Sequence, residues 1–161
     1  MKSKIKTRNE IKSIVDRLRN EGKVIVFTNG CFDLIHVGHI RYLQEAKKLG
    51  DHLIVAVNSD HSVKIIKGDQ RPIVPEDERA EVLAALECVD FVVIFHEPDP
   101  YQIISLLKPH ILVKGEDWSE EAIVGKDVVE SIGGRVVRIP MTKGASTSNV
   151  IQKIVEFYSE G

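Results

Sequence analysis

Short apolar runs alternate with segments of helical periodicity along almost the whole chain. The apolar runs span residues 24–27, 53–57, 91–95, 111–113 and 136–139. Strands that are buried on both faces of a parallel sheet have this composition. Apolar residues recur at helical spacing over residues 37–49, 75–87, 99–107 and 120–132. The alternation predicts an α/β fold, a single Rossmann-like, doubly wound, parallel five-stranded sheet with helices on both faces.

Both ends of the chain also have helical periodicity, carried by Ile11, Ile14, Val15 and Leu18 at one end and by Ile151, Ile154, Val155 and Tyr158 at the other. No linker or repeat divides the chain. We therefore expect one domain over residues 1–161, with an N-terminal helix in 1–21 and the core in 22–157. The long loop predicted at residues 64–75 is of a length that is usually functional or mobile in a compact domain.

Charge, apolar runs and cysteine count exclude several classes of protein. The 22 Lys and Arg residues nearly balance the 24 Asp and Glu residues, for a net charge of −2, so no overall field favours nucleic acid or membranes. No apolar run approaches the ~18 residues of a membrane span, and the basic first residues precede no apolar signal segment. Cys31 and Cys88 are too few for a disulfide framework. We expect a cytoplasmic protein with no nucleic-acid or membrane partner.

Polar residues gather where the predicted strands end, which is where ligands bind in open α/β sheets. They are Thr28, Asn29, Gly30, Asp33, His36, Gly38 and His39 after the first strand, Lys114, Gly115, Glu116 and Asp117 after the fourth, and Ser146, Thr147 and Ser148 after the fifth. Gly38 and the hydroxyl run stand where helices begin, and helix N-termini bind anions. With Lys67 from the predicted loop, this edge is expected to bind a chain of phosphates.

Two common phosphate motifs are absent from the chain. It contains no G-x-x-x-x-G-K-[ST] sequence, which excludes a P-loop ATPase, and no G-x-G-x-x-G after the first strand, which disfavours a redox dinucleotide enzyme. A zinc site at Asp33, His36 and His39 is disfavoured because no fourth ligand is nearby. We expect no metal held by the protein itself.

Residues 27–39, Phe-Thr-Asn-Gly-Cys-Phe-Asp-Leu-Ile-His-Val-Gly-His, resemble the signature of the nucleotidylyltransferase superfamily with the His-x-Gly-His motif. Residues 114–118 and 144–148 resemble its second and third motifs, and the resemblance covers nearly all of residues 22–157. The chain is most similar to the adenylyltransferase domain of the ADP-heptose synthases. The resemblance implies transfer of AMP from ATP to D-glycero-β-D-manno-heptose 1-phosphate, giving ADP-heptose and pyrophosphate for lipopolysaccharide core precursors. It also implies Mg²⁺ bound with the ATP phosphates.

The resemblance implies roles for the polar residues. His36 and His39 are expected to donate hydrogen bonds to the ATP phosphates in the transition state, and Lys67 to neutralise charge on both substrates. The remaining residues expected to bind nucleotide or phosphate are Thr28, Asn29, Gly30, Asp33, Gly38, Arg79, Lys114, Gly115, Glu116, Asp117, Ser146, Thr147 and Ser148. The nucleophile, a sugar phosphate oxygen, is already anionic near neutral pH, so no general base is needed.

Arg79, Trp118 and Cys31 each have two interpretations. Arg79 shares a helix face with Val82 and Leu83, so it turns toward the core and needs a partner. Either its stem packs while its head reaches solvent, or it contacts nucleotide or a carboxylate of the turn at 116–117, as the resemblance favours. Trp118 is a wall of the site or a cover for the sheet edge. Cys31 is a packing residue or a nucleophile, and packing is commoner for free cysteine.

Two other functions stay open. One is a cytidylyltransferase acting on glycerol 3-phosphate or a similar small phosphate. Enzymes of that kind typically carry Arg-Thr-Glu-Gly where this chain has Met141-Thr142-Lys143-Gly144, which weakens the cytidine alternative, although Lys143 keeps the base choice open. The other is a nucleotide-binding module without catalysis. Relatives in the heptose branch are often fused to a sugar kinase, and the short helix that starts this chain predicts a separate kinase and phosphatase. Homodimers are common in the superfamily.

Overall fold

The computed structural model describes residues 2–159, and one parallel sheet carries the fold of that part of the chain. Its strands are β1 (Ile25–Gly30), β2 (His52–Asn58), β3 (Phe91–Phe95), β4 (Ile111–Gly115) and β5 (Arg135–Ile139). They lie in the order β3-β2-β1-β4-β5, and all neighbouring pairs are parallel. Each strand coincides with a predicted apolar run, so the prediction of a doubly wound parallel sheet is confirmed.

Helices cover both faces of this sheet. In residues 2–159 the α-helices are α1 (Arg8–Asn20), α2 (Val37–Lys47), α3 (Asp60–Lys67), α4 (Glu76–Ala84), α5 (Tyr101–Leu107), α6 (Lys126–Ser131) and α7 (Thr147–Tyr158), with short 3-10 turns at Lys2–Lys4 and Glu120–Ala122. Buried residues of α1, α5 and α6 form one core layer with the sheet, and those of α2 and α4 form the other.

Side chains alternate between the two layers along each strand. In β1, Ile25 and Phe27 pack with Ile11 of α1, whereas Val26 packs with Leu43 of α2. All five of these residues are fully buried, as are the residues of β2 from Leu53 to Val57. The apolar runs of the sequence follow from this burial on both faces.

Two predicted boundaries are wrong. The predicted loop at residues 64–75 begins inside α3, which the Ser59 side chain caps by accepting from the Ser62 N–H, and which ends at Gly68, where φ is +97°. The predicted helix at 120–132 is broken at Gly125, where φ is +93° and an added Cβ would lie 2.7 Å from Cδ1 of Ile104. The loop that remains, residues 68–75, is shorter than predicted.

The sheet order changes direction at β1, because β1 pairs with β2 on one side and with β4 on the other. Ligands of open α/β sheets bind at this switch point, beyond the carboxyl ends of the strands. The fold therefore directs attention to the ends of β1 and β4. Among residues 2–159, no helix is both long and apolar enough to cross a membrane.

Candidate active site

A crevice of about 330 Å³ lies at the carboxyl ends of β1 and β4. Its walls also include the start of α2, the end of α3, the loop after it and the start of α7. That volume falls within the range of small-molecule sites in proteins. The crevice therefore occupies the place where the fold predicts a ligand.

Most of the residues selected from the sequence line this crevice: Asn29, Gly30, Asp33, His36, Gly38, His39, Lys67, Lys114, Gly115, Asp117, Ser146, Thr147 and Ser148. Thr28, Arg79 and Glu116 do not line it. The side chains that sequence reasoning missed or left undecided are Cys31, Phe32, Tyr42, Arg71, Trp118, Met141 and Ala145. Residues far apart in sequence thus meet at one edge of the sheet.

The two histidines form a reciprocal cap at the start of α2. The Gly38 N–H donates to Nδ1 of His36 at 3.1 Å, and the His36 N–H donates to Nδ1 of His39 at 3.2 Å. A nitrogen that accepts a backbone N–H carries no proton, so each neutral ring must carry its proton on Nε2. Neither Nε2 has a partner within residues 2–159. The cap therefore leaves each ring with a donor for a ligand in the crevice.

Burial keeps the histidine pair neutral. It lowers the pKa of His39 to about 4, with smaller contributions in the same direction from His36 and Lys67. Burial also lowers the pKa of His36 below its ordinary value. The ring centroids lie 3.9 Å apart, so charging one ring opposes charging the other. Near neutral pH both rings act as hydrogen-bond donors rather than as cations.

The N-termini of α2 and α7 meet at Gly38. A Cβ added there would lie 2.8 Å from Cε1 of His36 and 3.1 Å from Cβ of Ala145, so only glycine allows this approach. Ser146 caps α7 by accepting from the Asn149 N–H, and the Thr147 hydroxyl donates to the Asp33 carbonyl. Two of the three predicted hydroxyls are therefore used within the protein. The Gly38 N–H is used in the cap of α2, whereas the N–H groups of Thr147 and Ser148 at the start of α7 have no partner within residues 2–159 and suit an anion.

Three cationic side chains line the crevice: Lys67, Arg71 and Lys114. Lys114 is the most buried lysine described, and its Nζ lies 5.1 Å from the centre of the Trp118 ring. Burial lowers the pKa of Lys114 to about 8, against the opposing effect of Asp117. Trp118 is therefore a wall of the site, which decides between its two interpretations.

Thr28 supports the crevice from below instead of lining it. The side chain is fully buried, and its Oγ1 lies 2.7 Å from the Tyr42 hydroxyl and donates to the Val113 carbonyl at 3.0 Å. These bonds join β1, α2 and β4 beneath the site. The expected direct contact between Thr28 and phosphate is not supported, because its hydroxyl already has protein partners.

Arg79 does not contact the turn at 116–117, and it does not line the crevice. Its side chain is 1% exposed, and its guanidinium donates to the carbonyls of Val74, Cys31 and Asn58 and to Asp60 Oδ1. The sequence correctly predicts a buried arginine with a partner. The partner differs because the ends of β1 and β2 lie nearer to α4 than the turn after β4 does.

Asn29 has a buried acceptor with no donor. Its Oδ1 is unpartnered among the described residues, although Asn29 lines the crevice. An amide oxygen cannot accept from a phosphate oxygen, so a ligand hydroxyl, amino group or bound water is needed there.

Burial raises the pKa of the Cys31 thiol despite the nearby Lys67 and Arg79. That shift does not favour Cys31 as a nucleophile, since thiolates are the reactive form.

Within residues 2–159, no group of three or more His, Cys, Asp or Glu side chains could hold a metal ion. Of the two carboxylates that line the crevice, Asp33 already accepts three hydrogen bonds and Asp117 is exposed. These two carboxylates suit a Mg²⁺ ion whose ligands are mainly phosphate oxygens and water.

Comparison with known proteins gives relatives over almost the whole chain. Residues 27–153 match the family model described as cytidylyltransferase-like. The chain is 51% identical over 159 residues to the bifunctional protein HldE of Syntrophotalea carbinolica. The match covers 99% of this chain and 32% of that protein. The chain thus spans about a third of the length of that curated relative.

Solved structures agree with this comparison. The lipopolysaccharide core biosynthesis protein from Thermoplasma volcanium is 34% identical, with a TM-score of 0.62 over 76% of this chain and 99% of the other. The pantoate–β-alanine ligase from Francisella tularensis, solved with a β,γ-ATP compound and β-alanine, is 18% identical, with a TM-score of 0.63 over 98% of this chain and 79% of the other. The second likeness shows the fold alone.

Proposed function

The chain belongs to the cytidylyltransferase-like family of nucleotidyltransferases, and from that premise we propose that it is an adenylyltransferase that makes ADP-heptose. The proposed donor is ATP and the proposed acceptor is D-glycero-β-D-manno-heptose 1-phosphate. The motif segments resemble those of this branch. The 34% identity to a lipopolysaccharide core biosynthesis protein supports the same assignment.

The proposed reaction needs alignment of two anions more than it needs proton transfer. An oxygen of the sugar phosphate attacks the α-phosphorus of ATP, and the bond from that phosphorus to the oxygen bridging to the β-phosphate breaks. Pyrophosphate leaves with the electron pair of that bond. Since the attacking oxygen is already anionic, the protein has to hold the two substrates in line and stabilise the charge that develops.

The observation that carries the proposal is the neutral histidine pair at the N-terminus of α2. With Nδ1 fixed by backbone donors, His36 and His39 can each donate from Nε2 to a phosphate oxygen. A preorganised donor stabilises developing charge without reorganising during the reaction. Lys67, at the end of α3, adds positive charge from a different wall of the crevice.

The other proposed parts follow from the crevice. Mg²⁺ would enter with ATP and neutralise charge on its phosphates. Asn29 Oδ1 would accept from a hydroxyl of the sugar or the ribose. We propose that residues 1–161 act as one domain, with the core at 22–157. The sugar 1-phosphate would come from a kinase and a phosphatase. A homodimer and a cytoplasmic location stay predictions.

Pyrophosphate release tests the function directly. The protein is incubated with Mg²⁺, ATP or CTP, and D-glycero-β-D-manno-heptose 1-phosphate or glycerol 3-phosphate, in every pairing. We expect release with ATP and the heptose phosphate only. Release with CTP would overturn the adenylyl assignment and favour a cytidylyltransferase. Binding of ATP without release in any pairing would favour a nucleotide-binding module.

A further inference from the structure

Arg71 enters the crevice from the loop between α3 and α4, and no motif in the sequence points to it. Its side chain is 15% exposed and lines the crevice together with Lys67. Of its side-chain nitrogens only Nε has a hydrogen-bond partner among the described residues, and it donates to Asp33 Oδ2 at 2.9 Å. Among residues 2–159, nothing accepts from the two terminal nitrogens of the guanidinium. Four N–H donors are therefore held near the crevice without acceptors.

The carboxylate of Asp33, which binds Arg71, is itself buried and held in place by backbone donors. The Asp33 side chain is 0% exposed, and it also accepts from the N–H groups of Ile73 at 2.8 Å and Val74 at 3.0 Å. Burial alone would raise the pKa of Asp33, but these donors and Arg71 together lower it. Asp33 therefore stays ionised and fixes both the path of the loop and the plane of the guanidinium.

The surroundings of Arg71 select an anionic ligand. Lys67 and Lys114 line the same crevice, and the N-termini of α2 and α7 open onto it. The Asp33 carboxylate already accepts three hydrogen bonds, and the charge of Arg71 balances its own. A planar guanidinium with free terminal N–H groups binds phosphate through two parallel hydrogen bonds, which an ammonium group cannot do.

We propose that Arg71 is a phosphate-binding residue of the crevice and that Asp33 is the positioning residue that orients it. The inference rests on the proposed function only for which phosphate is bound. The ligand chemistry is a phosphate group, supplied either by the nucleotide or by the sugar phosphate. Asp33, assigned from the sequence to nucleotide or phosphate binding, acts through Arg71 instead of touching the ligand.

Three single variants, the double variant of Arg71→Gln with Asp33→Asn, and one control test the proposal. Arg71→Gln removes the charge and the fork, Arg71→Lys keeps the charge and removes the fork, and Asp33→Asn loosens the anchor. Lys64→Ala is the matched control, because Lys64 is an exposed cation one turn before Lys67 that does not line the crevice. Each protein is assayed for the KM of both substrates, for kcat and for thermal unfolding. Binding of inorganic tripolyphosphate is measured by calorimetry.

We expect Arg71→Gln to raise the KM of one substrate about tenfold to a hundredfold, the loss typical of a charge-assisted hydrogen bond. The rise falls on ATP, with weaker tripolyphosphate binding, if the nucleotide supplies the phosphate, and on the sugar phosphate if the acceptor does. Arg71→Lys should recover only part of the loss, and the Asp33→Asn effect should largely vanish in an Arg71→Gln background. The control should match the wild type.

Unchanged KM and tripolyphosphate affinity in Arg71→Gln would overturn the proposal, whether or not its thermal stability falls. Full recovery by Arg71→Lys would overturn the role of the fork. If Asp33→Asn does not fold, the Arg71 variants still decide the binding claim. A wild type that transfers no nucleotide, yet binds tripolyphosphate through Arg71, would refute the proposed function and leave this inference supported.

Discussion

The neutral state of the histidine pair has a measurable consequence for stability. His39 has a pKa of about 4 in the folded protein against an ordinary value of 6.5, chiefly because the ring is buried. The unfolded chain therefore binds this proton first as the pH falls. Stability from this group is fully present above pH 6.5 and is lost progressively as the pH falls toward 4.

The size of the effect follows from the shift in pKa. At about 1.4 kcal/mol per pKa unit, the whole shift corresponds to about 3 kcal/mol, of which roughly 2 kcal/mol falls between pH 7 and pH 5. His39 is only partly buried, and solvent screening reduces this to about 1 kcal/mol. We expect the wild type to lose about 1 kcal/mol more than His39→Gln over that interval.

Urea unfolding at pH 7 and pH 5 measures this difference for the wild type and His39→Gln. His61→Gln is the control, since His61 is exposed on α3 and does not line the crevice. The control should keep the extra loss that the wild type shows. If the wild type and His39→Gln lose the same free energy of unfolding, the ring is not held neutral by its burial.

Three further substitutions test the crevice through nucleotide transfer. His39→Ala should lower kcat about a hundredfold and change the KM for ATP less than about threefold in steady-state assays, because its donor acts in the transition state; a weaker ATP complex at unchanged kcat would contradict this role. Lys67→Ala should lower kcat more than about a hundredfold, as deleting one preorganised donor does, whereas Lys64→Ala should not; near-normal turnover of Lys67→Ala would remove Lys67 from the site. Gly38→Ala should lower kcat roughly tenfold or more, because its Cβ would lie 2.8 Å from Cε1 of His36, and wild-type turnover would show that the ring accommodates it.

The fold was predictable because strands that are buried on both faces consist of uninterrupted apolar residues. β2 has six buried residues in succession, so its interior position can be read from composition alone. α3 was missed because it contains only eight residues and leaves Ile65 and Ile66 about half exposed, so it lacks a buried apolar stripe. Its capping residue, Ser59, was the available signal, since serine just after a strand commonly begins a helix.

The candidate site was predictable only in part, because sequence position does not distinguish a residue that faces a ligand from one that supports it. Thr28 and Asp33 stand in the motif beside His36, yet both use their side chains to hold the protein together. Arg71 carries no motif because its place depends on a carboxylate 38 residues earlier in the chain. Such long-range pairing leaves no local pattern to recognise.

Two buried charged side chains, Arg79 and Asp33, bind the loops around the site through several hydrogen bonds. Arg79 joins the end of β1 to the end of β2 through the carbonyls of Cys31 and Asn58, and reaches the loop before α4 at Val74. Asp33 binds the same loop by accepting from the N–H groups of Ile73 and Val74. An unpaired buried charge is costly, so each of these groups strongly disfavours any loop path that would leave it without partners. The need to pair these buried charges therefore selects one path for the loop. Donors that stabilise a developing phosphate charge require such fixed positions.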